Sequence, residues 1–464
     1  MCTRHLTIVL AVYLLGSAGC RMAQQVSDDP EFAEMAASLD QSAHFEAGST
    51  QQVPRPETSG LAGAHPVSEY VAYALAHNSM IQVARQELKV REQQITIASS
   101  LQDPMVGMTV LPEQIQTAAG QQELALSASQ KIPWRGKLDT RAAVAESAAS
   151  VAQAKLAAVE RTTIANVKRV YYELYFTQQS ILVTEEEQKL LVEIRGVANA
   201  RYRAGRTSQQ DVLRADLEIS RVVSELIRIK QLLVRSQARL ARLLHVSPQT
   251  KLLAQQQLPV VVVPTDIAPL RQRAVAARPE LQAQLAAIQR DSEAVELARL
   301  NYWPDVTLGA TWMDIASSGL SPVANGRDAV LLTAGINLPI YRNRLDASVR
   351  SAQAKAVATA RKYDAIRDET LEQVVDLFTR ARSQLDLLTL FREDILPKSR
   401  QTLKVSSRAY NVGEVDFLQL IDNWRQLLRY ELSYQRLQAS LRQTLAELER
   451  LVGYADIPEV RTRS

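Results

Sequence analysis

The feature that most constrains this chain is a block that occurs twice: a proline-marked strand end, a tight basic turn, and then a very long helix. The first copy reads Ile132-Pro133-Trp134-Arg135-Gly136-Lys137-Leu138 and continues as helix to about Arg203. The second reads Leu338-Pro339-Ile340-Tyr341-Arg342-Asn343-Arg344-Leu345 and continues to about Tyr410. Between Leu138 and Arg203 there is no proline and one glycine, Gly196; between Leu345 and Tyr410 there is no glycine and one proline, Pro397. At 1.5 Å rise per residue each rod is roughly 100 Å long, whereas an ordinary globular helix has about 11 residues. The function must follow from what two such rods can build.

The repeat extends beyond the rods. Residues 74–82 align with residues 274–282 at an offset of 200, and Pro104/Pro304 and Val106/Val306 keep that offset. The offset is 207 at Leu138/Leu345 and 208 at Gly205/Gly413. One register with a growing offset is what a tandem duplication with loop insertions leaves behind. Most of the added residues fall in the second hairpin loop, near Ala316 to Asp328. The duplication sets the expected organisation: a leader over 1–20, an N-terminal arm over 21–65, a first repeat over 66–246 and a connector over 247–267. A second repeat over 268–453 and a tail over 454–464 complete it.

Each repeat holds two strand candidates, near 104–112 and 122–132, and near 304–313 and 329–340. In the first pair Val106, Met108 and Val110, then Leu124, Leu126 and Ala128, alternate with small or polar residues. In the second pair Val306, Leu308, Ala310 and Trp312 alternate with Thr307, Gly309 and Thr311, and Val330, Leu332, Ala334, Ile336 and Leu338 with Thr333, Gly335 and Asn337. Period-two alternation makes one face apolar. Two hairpins resting on a soluble core give that pattern, and so do barrel strands with lipid outside and water inside. Four strands cannot close a barrel, since the smallest have about eight. An open edge in lipid leaves backbone groups without partners. Membrane strands here therefore require oligomerisation: two copies give eight strands and three give twelve. An eight-stranded barrel is filled by its own side chains, so a conduit favours three copies or more.

Along the first rod, Val144, Val151, Val159, Val167, Tyr171 and Leu174 form a track at spacings of three, four, seven and eight residues, with alanine between. That is the pattern of a helix packed closely along its length. Each rod ends alike: Tyr202-Arg203-Ala204-Gly205 precedes Ser208 to Asp211, and Tyr410-Asn411-Val412-Gly413 precedes Asp416 to Gln419. Glycine just past a helix is the usual left-handed stop. Ser208 and Asp416 read as N-caps of return helices running to about His245 and Leu451, with Asp211 and Gln419 at the capping-box position. Asp422 lies three residues beyond Gln419 on the same face and is not explained by capping.

The balance of charge is +4, from 54 basic and 50 acidic residues, and aromatics are 5%. There is no basic patch with interleaved aromatics, so nucleic acid is not an expected partner. The start reads as a secretion signal: Arg4 and His5, an apolar run from Leu6 to Leu15, then Ser17-Ala18-Gly19-Cys20. The run is too short to span a membrane as a helix. The cysteines are Cys2 and Cys20, so cleavage before Cys20 leaves one N-terminal cysteine available for acylation; plain signal cleavage nearby is the alternative. The histidines (His5, His44, His65, His77, His245) have no partner at ligand spacing on a helix. Met105 and Met108 face opposite sides of a strand. No P-loop, dinucleotide glycine pattern or nucleophile elbow occurs, so no enzyme, metal site or cofactor is expected.

These residues resemble the TolC-like family of outer-membrane efflux proteins, in two copies from Pro66 to Gly453. The resemblance is carried by Ile395-Leu396-Pro397 through Tyr410-x-x-Gly413 to Asp422, and by Arg135-Gly136-Lys137-Leu138 after a strand. The lipobox-like start is similar to the metal-exporting branch. The resemblance implies a mainly α fold with a small β part: a duplicated helix-strand-strand-helix repeat forming a long α-helical barrel. Four strands per chain would contribute to a trimeric 12-stranded membrane β-barrel. It also implies docking to a periplasmic adaptor and an inner-membrane transporter, with the resistance-nodulation-division type as a candidate.

Carried over by position, Asp211, Tyr410 and Asp422 match residues of a periplasmic gate. Gln419 stands where many members are acidic, and Val415 where some have a linking arginine. Three Asp422 carboxylates would converge near the axis. The implied function is a passive exit duct for small solutes or metal ions. A type I secretion duct for polypeptides has the same fold. A periplasmic helical adaptor or scaffold is a different class, and the duplication with four alternating strands argues against it.

Overall fold

The computed structural model describes residues 60–317 and 325–453, together with Phe32 and Val323. The leader with Cys20, nearly all of the arm, most of the second hairpin's loop tip and the tail after Gly453 lie outside the described residues. Both repeats belong to the compact unit from Pro56 onward.

In the first repeat, β1 (Gly63–His65), α1 (Val67–His77) and α2 (Ser79–Ser99) lead into β2 (Met105–Thr117) and β3 (Gly120–Ile132). Next come the 67-residue α3 (Lys137–Arg203) and α4 (Gln209–Leu244). After β4 (Leu252–Ala254), the second repeat runs α5 (Ala268–Ala277), α6 (Pro279–Leu300), β5 (Val306–Ala316) and β6 (Ala329–Ile336). It ends with α7 (Arg342–Leu390), a π turn (Phe391–Ile395), α8 (Leu396–Val412) and α9 (Phe417–Val452).

The second rod is therefore not uninterrupted, as the sequence suggests. Pro397 lacks an N–H and its ring crowds the carbonyl four residues back. The widened turn at Phe391–Ile395 sits where that ladder must open. The last strand also ends at Ile336 rather than near 340. There the Asn337 Oδ1 accepts the Asp305 N–H, and the Asn337 N–H donates to the Asp305 carbonyl at 3.3 Å. Conversely, β2 continues past its expected end to Thr117. It carries Pro112 through a register shift between Val110 and Ile115, which an edge strand tolerates. The short parallel pair β1–β4 was not anticipated. It joins residues assigned to the arm and the connector, and the Tyr70 hydroxyl ties it down by donating to the Gly63 and Leu253 carbonyls, each at 3.1 Å.

The four long strands form one antiparallel sheet in the order β2-β3-β5-β6. Its register places Val106 opposite Ala128, Ala128 opposite Ala310, and Ala310 opposite Leu332. Met108, Leu126, Trp312 and Val330 make the next row. These apolar rows thus share one face, while Gly107, Ser127, Thr311 and Thr333 lie on the other, a mainly small and polar face that also carries Met105, Met313 and Leu331. The first hairpin turns through Ala118 and Ala119. Gly120 follows at φ +136°, where a Cβ would lie 1.8 Å from the Ala316 carbonyl oxygen, so only glycine fits.

The helices stand in the same lateral order as their strands: α2 packs on α3, α3 on α6, and α6 on α7. The α4 helix doubles back on α3, and α9 packs on both rods. Two apolar cores lie midway along the rods, one including Tyr70, Tyr171 and Leu240, the other Ala274, Val374 and Leu448. The expected track on the first rod is buried at Val151, Val167, Tyr171 and Leu174 and half-buried at Val144 and Val159. A third core lies toward the rod ends and contains Leu191, Ala198, Ala215, Tyr410, Phe417 and Trp424. No helix among the described residues is long and apolar enough to cross a membrane.

Candidate functional site

The four helix ends α3, α4, α8 and α9 meet around that third core, and the residues singled out by sequence gather there. Gly205 (φ +68°) and Gly413 (φ +92°) both take the left-handed conformation that stops a helix. The Gly413 N–H donates to the Ala409 carbonyl at 3.0 Å. The Ser208 Oγ accepts the Gln210 N–H at 3.1 Å, and the Asp416 Oδ1 accepts the Gln419 N–H at 2.8 Å. Both N-caps therefore form.

The capping-box role expected of Asp211 does not. Its carboxylate turns to the Thr207 hydroxyl, which donates to Oδ2, and to the Tyr410 hydroxyl at 3.4 Å. This contact joins the two hairpin tips of the chain. Tyr410 is buried at 2% exposure, with its ring 5.6 Å from that of Phe417. Burial, then the Asp211 charge, push its hydroxyl above the usual phenol range, against the pull of Thr207 and Arg201. The hydroxyl therefore stays protonated and serves as a donor.

Arg201, at the end of the first rod, completes the cross-link. Its Nη1 donates to the Tyr410 carbonyl, and its Cζ stands 4.7 Å from the centre of the Tyr410 ring. At Gly413 a side chain would come within 3.3 Å of the Arg201 Nη2, so glycine also leaves room for this contact. A basic residue in the last turn of a helix complements the dipole whatever else it does. That is why Arg201 did not stand out in the sequence.

Asp422 is exposed on α9, and Gln419 and Val415 lie outside the tip core. Asp422 does not stand alone: the Arg425 Nη1 donates to its Oδ1 at 3.0 Å, and the Arg425 Nη2 donates to the Glu218 Oε1 at 2.5 Å. Glu218 is buried on α4. Hydrogen bonding to Glu218 raises the Arg425 pKa further, against burial. Two carboxylates share this guanidinium, and the Arg221 Nη1 stands 3.9 Å from the other Glu218 oxygen, so Asp422 is the exposed carboxylate of a four-membered charge network. Asp422-x-x-Arg425 is an i,i+3 pair legible in the sequence; Glu218, 207 residues from Arg425, has no such signal. No group of three or more His, Cys, Asp or Glu side chains suited to a metal ion occurs among the described residues.

Residues 71–245 and 270–454 match the family described as outer membrane efflux protein, one segment in each repeat. The cobalt-zinc-cadmium resistance protein CzcC of Cupriavidus metallidurans is 22% identical, over 68% of this chain and 74% of its own. The pyoverdine export outer membrane protein OpmQ of Pseudomonas putida is 23% identical, over 71% of this chain and 69% of its own. The solved structure of CusC superposes with a TM-score of 0.73 at 17% identity, covering 89% of this chain and 99% of CusC.

Proposed function

The chain belongs to the outer membrane efflux protein family, and from that premise we propose that three copies form the outer-membrane exit duct of a tripartite efflux system. As a family member it is an outer-membrane efflux channel; CzcC is named as a resistance protein and OpmQ as an export protein. The observation that carries the trimer is the sheet: four strands with one continuous apolar face and two unpaired edges, β2 and β6. Lipid does not tolerate unpaired backbone, and twelve strands from three copies leave a lumen that eight would not. The small and polar face, with Ser127, Thr311 and Thr333, would then line the pore. The rods would continue it as a helical barrel into the periplasm, to meet an adaptor and an inner-membrane transporter.

The substrate class is small solutes or metal ions carried as cargo. The resistance and export roles named for CzcC and OpmQ support this reading. The helical tips are the gate in this reading. Arg201 and Asp211 hold Tyr410 and keep the two hairpins of a chain together. Asp422, the exposed carboxylate positioned by Arg425, would set an acidic ring where three copies converge, which favours cations. Opening would separate the hairpins as an adaptor selects the open state.

Planar-bilayer recordings of the purified protein test the gate. Asp422→Ala is expected to raise resting conductance and lower cation selectivity. Both quantities unchanged in that variant would overturn the assignment of Asp422.

A further inference from the structure

The duplication leaves one junction made inside the chain and an equivalent one unmade. Inside, the second half of the first repeat (β3 and α3) meets the first half of the second (β5 and α6). Where strands give way to helices, this seam is tied by a buried cation. The Lys137 Nζ donates to the Asp305 Oδ1 at 2.7 Å and to the Trp303 carbonyl at 2.8 Å. The Trp134 N–H donates to the same carboxylate oxygen at 3.1 Å, and the Trp134 and Trp303 rings stack 5.1 Å apart.

At the offset of the rods, Lys137 corresponds to Arg344 and Trp134 to Tyr341. At the offset of the preceding segments, Trp303 corresponds to Asp103, Pro304 to Pro104 and Asp305 to Met105, so the carboxylate on this side stands two residues before the counterpart of Asp305. Arg344 and Tyr341 lie next to β6 and Asp103 and Pro104 next to β2, at opposite ends of the lateral row, and they do not meet within a chain. Arg344 and Asp103 are exposed, and neither has an ion partner among the described residues. Tyr341 is 71% exposed beside them. On the α2 side, Val83, Val90 and Ile97, spaced by seven, are at least half exposed, as is Val357 on α7. A stripe of that spacing is what one helix presents to another.

We propose that the seam between copies is closed by Arg344 of one chain and Asp103 of the next. Tyr341 packs on the segment before β2, and the Val83–Val90–Ile97 stripe seats against α7. The occupant of each open side is thus a second copy of this chain, and the proposal rests on the trimeric reading above. The charges are complementary, and the pair stands at the same strand-to-helix level as the seam the chain already makes. The chemistry is not a copy: the carboxylate moves from the position of Asp305 to that of Trp303, so the tryptophan stack has no counterpart, and the lysine is replaced by a longer, forked guanidinium that can hold a carboxylate bidentately.

Charge reversal tests it. Purified wild type, Arg344→Glu, Asp103→Arg and the double reversal are compared by native mass and by the temperature at which the assembly falls to monomers on a semi-native gel. Each single reversal is expected to lower that midpoint by about 5 °C or more, and the double reversal to recover most of the loss. Should a single reversal not assemble, Arg344→Gln and Asp103→Asn carry the same comparison. Each must then lower the midpoint, and the two together by no more than either alone. Trimers whose midpoints ignore every substitution, or add them independently, overturn this contact while leaving the trimer standing. A monomeric wild type overturns the trimer itself.

Discussion

Glu187 shows how a single buried charge can be held within this architecture. It lies on the first rod at 7% exposure, with its Oε2 unpartnered. Burial, then the nearby Glu431 carboxylate, push its carboxyl from 4.5 up to about 7; the Trp424 indole and Arg400 pull the other way. Arg400 is itself committed to Glu431, with Nη2 2.8 Å from Oε1. A carboxyl raised in the folded state keeps its proton after the unfolded chain has lost it. Its favourable contribution is complete below about 4.5 and is lost as pH rises through about 7. Glu187→Gln removes the ionisation and keeps the shape. At pH 8 the variant is expected to be more stable by about 1–3 kcal/mol, and near pH 4 the two should unfold alike. Chemical unfolding at both values checks this; an equal difference at both would mean that packing, not ionisation, sets the effect. In the sequence Glu187 closes a Glu-Glu-Glu run that reads as a solvated helix face. Only the arrival of α9 with Trp424 buries one of the three.

At the scale of elements, local period decides what can be read from sequence. The rods, the return helices and the alternation of all four strands are legible because each is long and keeps a single period. The π turn is not, since Pro397 announces a disturbance without saying whether the helix kinks, stops or widens. Nor are β1 and β4, three residues each and held by the Tyr70 hydroxyl rather than by any pattern. The tips were half legible: glycines and caps follow from short-range rules, whereas the Asp211–Tyr410 and Arg425–Glu218 contacts depend on how two distant hairpins lie together. The strands carry a prediction through parity alone. Leu332 lies on the shared apolar face, and its neighbour Thr333 on the small and polar one. Leu332→Arg places a charge on the face read as meeting lipid, where it costs about 2–4 kcal/mol near the bilayer centre. The heat-modifiable, assembled fraction is expected to fall. Thr333→Arg should assemble normally and change single-channel conductance, because it would face the lumen. The reverse pair of results would invert the sidedness of the sheet.

For the whole molecule, the repeats are bound by more than the connector between them. The β3–β5 ladder runs from Gln121 opposite Ala316 to Ile132 opposite Val306. Beside it α3 lies along α6, and the Lys137–Asp305 junction fastens the point between. Farther along the rods, Lys168 pairs with Glu449, and the Arg436 Nη1 donates to the Glu173 Oε2 at 2.8 Å. The connector contributes less: β4 pairs with β1 inside the first repeat, and Gln256 and Gln257 beyond it are exposed. Chain connection should therefore be dispensable once the protein is folded. A protease site inserted between Gln256 and Gln257, cut after purification, is expected to yield two fragments that separate only in denaturant. Native mass and single-channel conductance should stay those of the uncut protein. The thermal midpoint should fall by a few degrees, since cutting frees the unfolded halves from one another. Halves that drift apart under native conditions would mean that the connector, rather than the shared sheet and paired rods, holds the duplication together.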